Sequence, residues 1–390
     1  MEHLFHFLDG GILMKNSFFH FVSVITPLIL FSTFCLAQEI KLTEDQKREY
    51  IEFSDYNYEP LKLFLSAIQE YNDETFPETL NEILEKYPKS KITPFVQYLL
   101  GRYYEYKFKD EKDREKAIIN YQKVIRNYPN ALYPKNDFPI HFCRAGELYD
   151  EEIAPIAQMH IAWLYDLYGD NPDNPMRDTK QAITEYRKVI TNYTEKVSLC
   201  LTAYIHLLSI YREENNEEKF QEIGNILISK YGGQSFRKGS WGEWGVVEPE
   251  VLIGLAEFEE KKGNHVAAIK IYKKVLIKFS DASKTFHGGP EIYYSNWAID
   301  GILNLINDDE KSIQELKKIQ TKIIGKRLKG YLQFKIAYIY DKKIRDQEKA
   351  TDEYKKFVEN YDFNQHTYGM LDNEATEKLQ ELQTTKNKKK

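Results

Sequence analysis

The segment "DFPIHFCRAGELYDEE", Asp137–Glu152, holds the residue types in this chain that most readily do chemistry. His141 and Cys143, with His160 further on, could ligate a metal or form a Cys–His nucleophile pair, because imidazole and thiolate are common ligands and an adjacent imidazole activates a thiol. The spacing supports neither. His141 and Cys143 are two apart with no second close pair to complete a site, and His160 falls on a separate amphipathic segment. The second candidate is "YGGQSFRKGSWGEWGVVEP", Tyr231–Pro249, whose glycines permit tight turns beside Arg237, Trp241 and Trp244. No Gly-Lys-Ser/Thr follows at phosphate-loop spacing. It reads either as a contact loop anchored by Trp or as a connection whose Trp side chains cover neighbouring helices. The chain has no G-x-S-x-G, H-E-x-x-H or paired C-x-x-C. No catalytic residue, cofactor or metal ligand is therefore expected, and 137–152 reads as a folded insertion.

Almost everything else in the chain is repetition. "AIINYQKVIRNYPN" from Ala117 returns as "AITEYRKVITNYTE" from Ala182, "AIKIYKKVLIKFSD" from Ala268 and "ATDEYKKFVENYDF" from Ala350, with degenerate copies from Phe76 and Phe220. Apolar residues fall at i, i+1, i+4, i+7, i+8 and i+11, the single stripe of an amphipathic helix rather than the alternation of a strand. Asp178 with Gln181 three residues on predicts a capping box. Pro88, Pro129 and Gly232-Gly233 predict the far ends. Before each copy lies a second, Tyr-rich amphipathic segment, such as "PFVQYLLGRYYEY" from Pro94 and "IAQMHIAWLYDLYG" from Ile156. The unit is helix A, turn, helix B. The longest interval between units hides a divergent pair, "IYYSNWAIDGILNLI" and "SIQELKKIQTKI".

This pattern resembles the tetratricopeptide repeat, with a small residue and an aromatic in helix A, Ala and an aromatic in helix B, and Pro at the close. Those positions read Gly101, Tyr104, Ala117, Tyr121 and Pro129 in one unit, Ala162, Tyr165, Ala182, Tyr186 and Thr194 in the next, and Leu208, Tyr211, Phe220, Gly224 and Gly232 in a third. The resemblance implies an all-α, right-handed α-solenoid of about six or seven helix pairs, exported in the manner of bacterial envelope members. One such pair buries too little apolar surface to fold alone, so units come in arrays with atypical ends. Residues 59–370 are the expected array, with an insertion near 130–153 and a Trp/Gly loop at 232–249. Residues 371–382 form a cap helix and 383–390 a solvated basic tail.

The resemblance also implies that helix A lines the concave side. Taking Gly101 and its equivalents as register marks, the groove positions are Tyr98, Arg102 and Glu105, then Met159, Trp163 and Asp166, then Ile205, Ser209 and Arg212, and finally Phe334, Tyr338 and Asp341. An aromatic floor with charges of both signs suits a protein or peptide segment better than a small metabolite.

The amino terminus addresses location. Phe18–Ala37 is uncharged and mostly apolar, Lys15 precedes it and "CLA" closes it, the outline of a secretory signal peptide over residues 1–37. The run could also remain as a membrane anchor, the one expected route to membrane association. Pro27 and the small residues at the end favour cleavage, and Phe34 argues against a lipoprotein site at Cys35. Glu2 and Asp9 sit where a positive region belongs, which points to a start at Met14. The mature chain would begin near Gln38, with 38–58 as a linker, and would carry 53 basic and 58 acidic residues. That mild acidity argues against a nucleic-acid partner. Of its two cysteines, Cys143 and Cys200, buried free thiols are expected over a bridge. The reading is a non-catalytic, exported interaction scaffold of a bacterial cell envelope, periplasmic or envelope-associated. The alternative is an accessory or ligand-binding subunit of an envelope enzyme complex.

Overall fold

The computed structural model describes residues 58–69, 75–132, 152–167, 175–238, 243–285, 291–361 and 369–388. The expected signal peptide, nearly all of the linker, the insertion with His141 and Cys143, Trp241 and the last two tail residues lie outside them. The described residues fall into two compact units, those up to Val96 and those from Gln97 on. In the first, α1 (Tyr58–Gln69) packs on α2 (Phe76–Lys86), and Phe64 meets Phe95, in the first turn of α3 (Thr93–Tyr106), edge-on at 5.8 Å.

In the second unit the helices follow as pairs. α3 is succeeded by α4 (Glu111–Asn127), then come α5 (Ile153–Asp166) with α6 (Thr179–Asn192), and α7 (Val197–Glu213) with α8 (Glu217–Tyr231). Next are α9 (Val247–Lys261) with α10 (His265–Lys278), α11 (Tyr294–Leu305) with α12 (Asp309–Gln320), and α13 (Lys326–Tyr338) with α14 (Gln347–Asn360), closed by α15 (Gly369–Lys388). Helices adjacent in sequence pack on one another from α4 to α11 and from α12 to α15. The expected divergent pair is α11 and α12, so with α1 and α2 the described chain has seven pairs and a terminal helix.

The B helices are punctuated alike. Asp110, Asp178, Asn216, Asp308 and Asp346 each accept from the backbone N–H three residues on, satisfying a donor the helix cannot satisfy itself. At the other end Tyr87, Tyr128, Tyr193, Phe279 and Tyr361 are the residues where the helix stops, each still donating its N–H to the carbonyl four back at 2.8–3.1 Å. The recurrent aromatic is thus a helix terminus.

The Trp/Gly loop is where the structure departs from an entirely helical reading. β1 (Ser235–Lys238) and β2 (Glu243–Val246) form a hairpin between α8 and α9, and β3 (Ser283–Thr285) and β4 (Glu291–Tyr293) form another between α10 and α11. Trp244 pairs with Thr285, joining the hairpins into one antiparallel sheet in the order β1-β2-β3-β4. Gly245 makes the approach possible, since a Cβ there would lie 2.5 Å from both the Phe236 ring and the Tyr294 hydroxyl. The alternation Phe236, Trp244 and Val246 was overlooked because each strand has only three or four residues.

The core follows the register marks. Ala117, Ala162, Ala182, Ala268, Ala337 and Ala350 are fully buried, and Tyr121, Tyr186 and Tyr354 are among the largest side chains with no exposure. A Cβ at Gly101 would sit 2.7 Å from the Tyr121 ring, so the small residue in helix A is a seat for the helix B aromatic. Gly101→Ala is expected to destabilise by about 1–3 kcal/mol through overpacking. Helix propensity alone predicts a gain of about 1 kcal/mol. Urea denaturation monitored by circular dichroism separates the two by sign.

Candidate functional site

The helix A register brings together a chain of polar side chains rather than an open aromatic floor. Glu105 ends α3 one turn after Gly101. It accepts from the Tyr121 hydroxyl of α4, from Arg102 Nη1 at 2.9 Å, and from His160 Nδ1 of α5 at 3.0 Å. The His160 ring stacks on Tyr121, with centroids 5.3 Å apart and planes 17° apart, and its Nε2 lies 3.0 Å from the Tyr98 hydroxyl. One unit later the arrangement recurs. Asp166 of α5 accepts from the Tyr186 hydroxyl of α6 at 2.8 Å and from His206 Nδ1 of α7 at 2.9 Å, and His206 stacks on Tyr186 at 4.9 Å and 20°. Arg177, just ahead of α6, adds Nε and Nη2 to Asp166 Oδ1 at 2.9 and 2.6 Å and Nη1 to Glu213 at 2.6 Å.

Donor chemistry fixes the tautomers. A carboxylate only accepts, so Nδ1–H of each imidazole donates to it; Arg102 Nη1, 3.1 Å from His160 Nδ1, is itself a donor and shares Glu105 as its acceptor. His206 Nε2 then accepts from the indole N–H of Trp163 at 3.3 Å, and His160 Nε2 accepts from Tyr98. Trp163 also sets the edge of its ring against His160 at 4.9 Å, so one side chain touches both imidazoles. Each seam ties a carboxylate from one pair to an imidazole from the next.

Electrostatics agree with a neutral His160 ring. Burial pushes His160 below its ordinary value of 6.5 despite the upward pull of Glu105. Burial alone would raise Glu105, but Arg102, His160 and the Tyr121 hydroxyl bring it down to about 2. Asp166 is lowered as well, because His206 and Arg177 outweigh burial. Both ring nitrogens of each histidine are engaged by side chains of neighbouring helices, so the arrangement ties those helices together.

The motif changes at the next unit. Gly224 replaces the helix B tyrosine and Arg212 replaces the helix A acid. Arg212 donates forward to α9 instead, through Nε to Glu257 at 2.7 Å and Nη1 to Glu250 at 3.4 Å. Glu250 also accepts from the Tyr294 hydroxyl at 2.9 Å. In the last pair, a π-helical segment, Ile339–Ile344, follows α13, and Tyr354 and Asp341 are not hydrogen-bonded to each other.

Several expected groove residues are therefore interior. Tyr98, Glu105, Met159 and Asp166 are buried, as are Ile205 and Phe334, because their helices lie close enough for the side chains to meet the neighbouring pair. Arg102, Trp163, Ser209 and Arg212 are half-buried and Tyr338 is exposed, leaving these five, among the expected positions, at the surface with half-buried Asp341. On the hairpin, Arg237 pairs in register with Trp244, which is 40% exposed. Cys200 is a buried free thiol. The roles of His160 and His206 were missed, although each stands two residues before a register mark, Ala162 and Leu208, one unit after an acid four beyond its own mark.

Both depressed groups act in one direction. Their stabilisation is complete above the ordinary imidazole value of 6.5 and is lost on acidification, first as the buried His160 must take a proton, then as Glu105 is protonated between 4.5 and about 2. The melting temperature is expected to fall from pH 7.5 to pH 5, and His160→Gln, though less stable at pH 7.5, should show a shallower fall.

Residues 95–131 and 331–363 match the tetratricopeptide-repeat family model. No curated protein matches the sequence. Among solved structures, a tetratricopeptide repeat protein from Parabacteroides merdae is similar at 14% identity and a TM-score of 0.37, over 84% of this chain and all of that one. Yeast Tom70 is similar at 13% identity and a TM-score of 0.29, over 91% of this chain and 69% of that one. A human IFIT1 dimer with m7Gppp-AAAA is similar at 17% identity and a TM-score of 0.33, over 77% of this chain and 54% of that one.

Proposed function

Because the chain is a tetratricopeptide-repeat protein with an α-solenoid fold, we propose that it is a non-catalytic scaffold that holds a protein or peptide segment along its helix A face. Folds of this type typically bind such partners. The observation that carries the reading is the row Arg102, Trp163, Ser209 and Arg212, half-buried side chains presented by α3, α5 and α7 above a buried, fully engaged seam. A surface held from beneath in this way loses little conformational freedom on binding, which favours affinity. Trp and Arg are the residue types that most often anchor an interface. The apolar run Phe18–Ala37 supports export, with action in the periplasm or elsewhere in a bacterial cell envelope.

The test is capture from the source cell's envelope after brief crosslinking, using the chain from Gln38. One variant carries Arg102→Ala, Trp163→Ala and Arg212→Ala. A second carries Ser209→Arg and Tyr338→Ala, outside the seam, in case the first loses stability. A defined partner retained by the parent and depleted about tenfold or more by either variant, with the melting temperature of that variant unchanged, is the expected result. Equal capture by parent and both variants removes the helix A face from consideration.

A further inference from the structure

The B helices carry a feature that the helix A reading does not use. From His265 to Asn360 the chain has 19 Lys and Arg against 13 Asp and Glu, whereas the remainder has 35 against 47. Four of these lysines are on α10, "HVAAIKIYKKVLIK", the one B helix among those described that contains no acidic residue. Val266, Lys270, Lys273 and Ile277 follow at spacings of four, three and four, so they share one stripe of the helix. Val266 is 86% exposed and Ile277 59%.

Between α10 and α12 lies a cleft of about 110 Å³ lined by Lys273, Ile277, Glu315, Lys318, Ile319 and Lys322. Lys273 pairs with Glu315 across it at 2.5 Å. Lys270, Lys318 and Lys322 are exposed and have no ion-pair partner among the described residues. A merely solvated face would interleave both signs, as the other B helices do. Here Lys318 and Lys322 stand unpaired on one wall, and Lys270 lies one turn before Lys273 on the helix of the other, beside apolar side chains that water covers at a cost.

We propose that this cleft is a second docking surface, which binds an acidic amphipathic helix of a partner protein. Carboxylates on the helix pair with Lys270, Lys318 and Lys322. Apolar side chains meet Val266 and Ile277, which at 1.5 Å per residue stand about 16 Å apart along the helix, so the partner presents two apolar residues eleven positions apart. A cleft with charge on both walls fits a chain lying between them better than it fits a flat lipid surface.

The test uses a fluorescent 18-residue helical peptide with Leu at two positions eleven apart and Glu on the same face between them, read by anisotropy against the full chain. Control probes are the same peptide with both Leu changed to Ser, the same with Lys for Glu, and phosphatidylserine-containing vesicles. Binding that falls about tenfold in Lys270→Glu/Lys318→Glu/Lys322→Glu, and falls also in Ile277→Ser and with the Ser peptide, is the expected outcome. These side chains are on the surface, so the variants should melt with the parent. The proposal is overturned if the peptide does not bind, if charge reversal leaves binding unchanged, if the Leu side chains and Ile277 make no difference, or if only the vesicles bind. None of these results depends on whether the helix A face holds a partner.

Discussion

A buried carboxylate must be surrounded by donors or give up its charge, and that constraint organises the middle of this array. Glu105 and Asp166 each sit at the end of a helix A, take one hydroxyl from their own helix B, and take an imidazole N–H from the helix A that follows. Removing water from such an ion costs several kcal/mol, and only a nearly complete set of partners offsets it. Because those partners come from three helices, the carboxylate can be satisfied at one relative placement of two successive pairs. Apolar packing alone would tolerate small slides between them; a hydrogen-bonded ion does not. The aromatic stacking of each imidazole on the helix B tyrosine, and the Trp163 contact to both rings, extend the same register over three consecutive pairs.

The large features were legible because they rest on periodicity. Seven helix pairs, the divergent pair at α11 and α12, the Asp178 cap and the terminal helix all follow from apolar spacing and from residues that stop helices. What spacing does not reveal is how closely neighbouring pairs approach. Tyr98 and Met159 stand at positions that face a groove in an idealised unit, and they are interior here because the adjacent helix A reaches them. Glu105 and Asp166 looked like surface charges for the same reason. A charged residue in a sequence is exposed by default, and only the donors converging from other units show that it can be buried. The small sheet escaped because two three- and four-residue strand pairs, each beginning as a connection rich in Gly, carry too little alternation to be read.

The interior seam and the outer charge distribution divide the molecule by role. The half-buried Arg102, Trp163 and Arg212 have one end in the seam or its continuation and the other toward solvent, a placement suited to recognition by a surface that does not reorganise. Lys270 of α10, Lys318 of α12 and Lys322 just beyond it, by contrast, stand on flexible stems with no ion-pair partner among the described residues. The first set of side chains is preorganised and the second adaptable.

The central claim is that the imidazole–carboxylate contact couples neighbouring pairs, and a double-mutant cycle measures it most directly. The unfolding free energies of the parent, Glu105→Gln, His160→Gln and the double variant would be obtained from urea denaturation at pH 7.5. The account predicts that each single change destabilises and that the double variant is less destabilised than their sum by more than about 1 kcal/mol. Additivity within about 0.3 kcal/mol would contradict it. The two side chains would then be independent, and the register of the pairs would have to come from apolar packing.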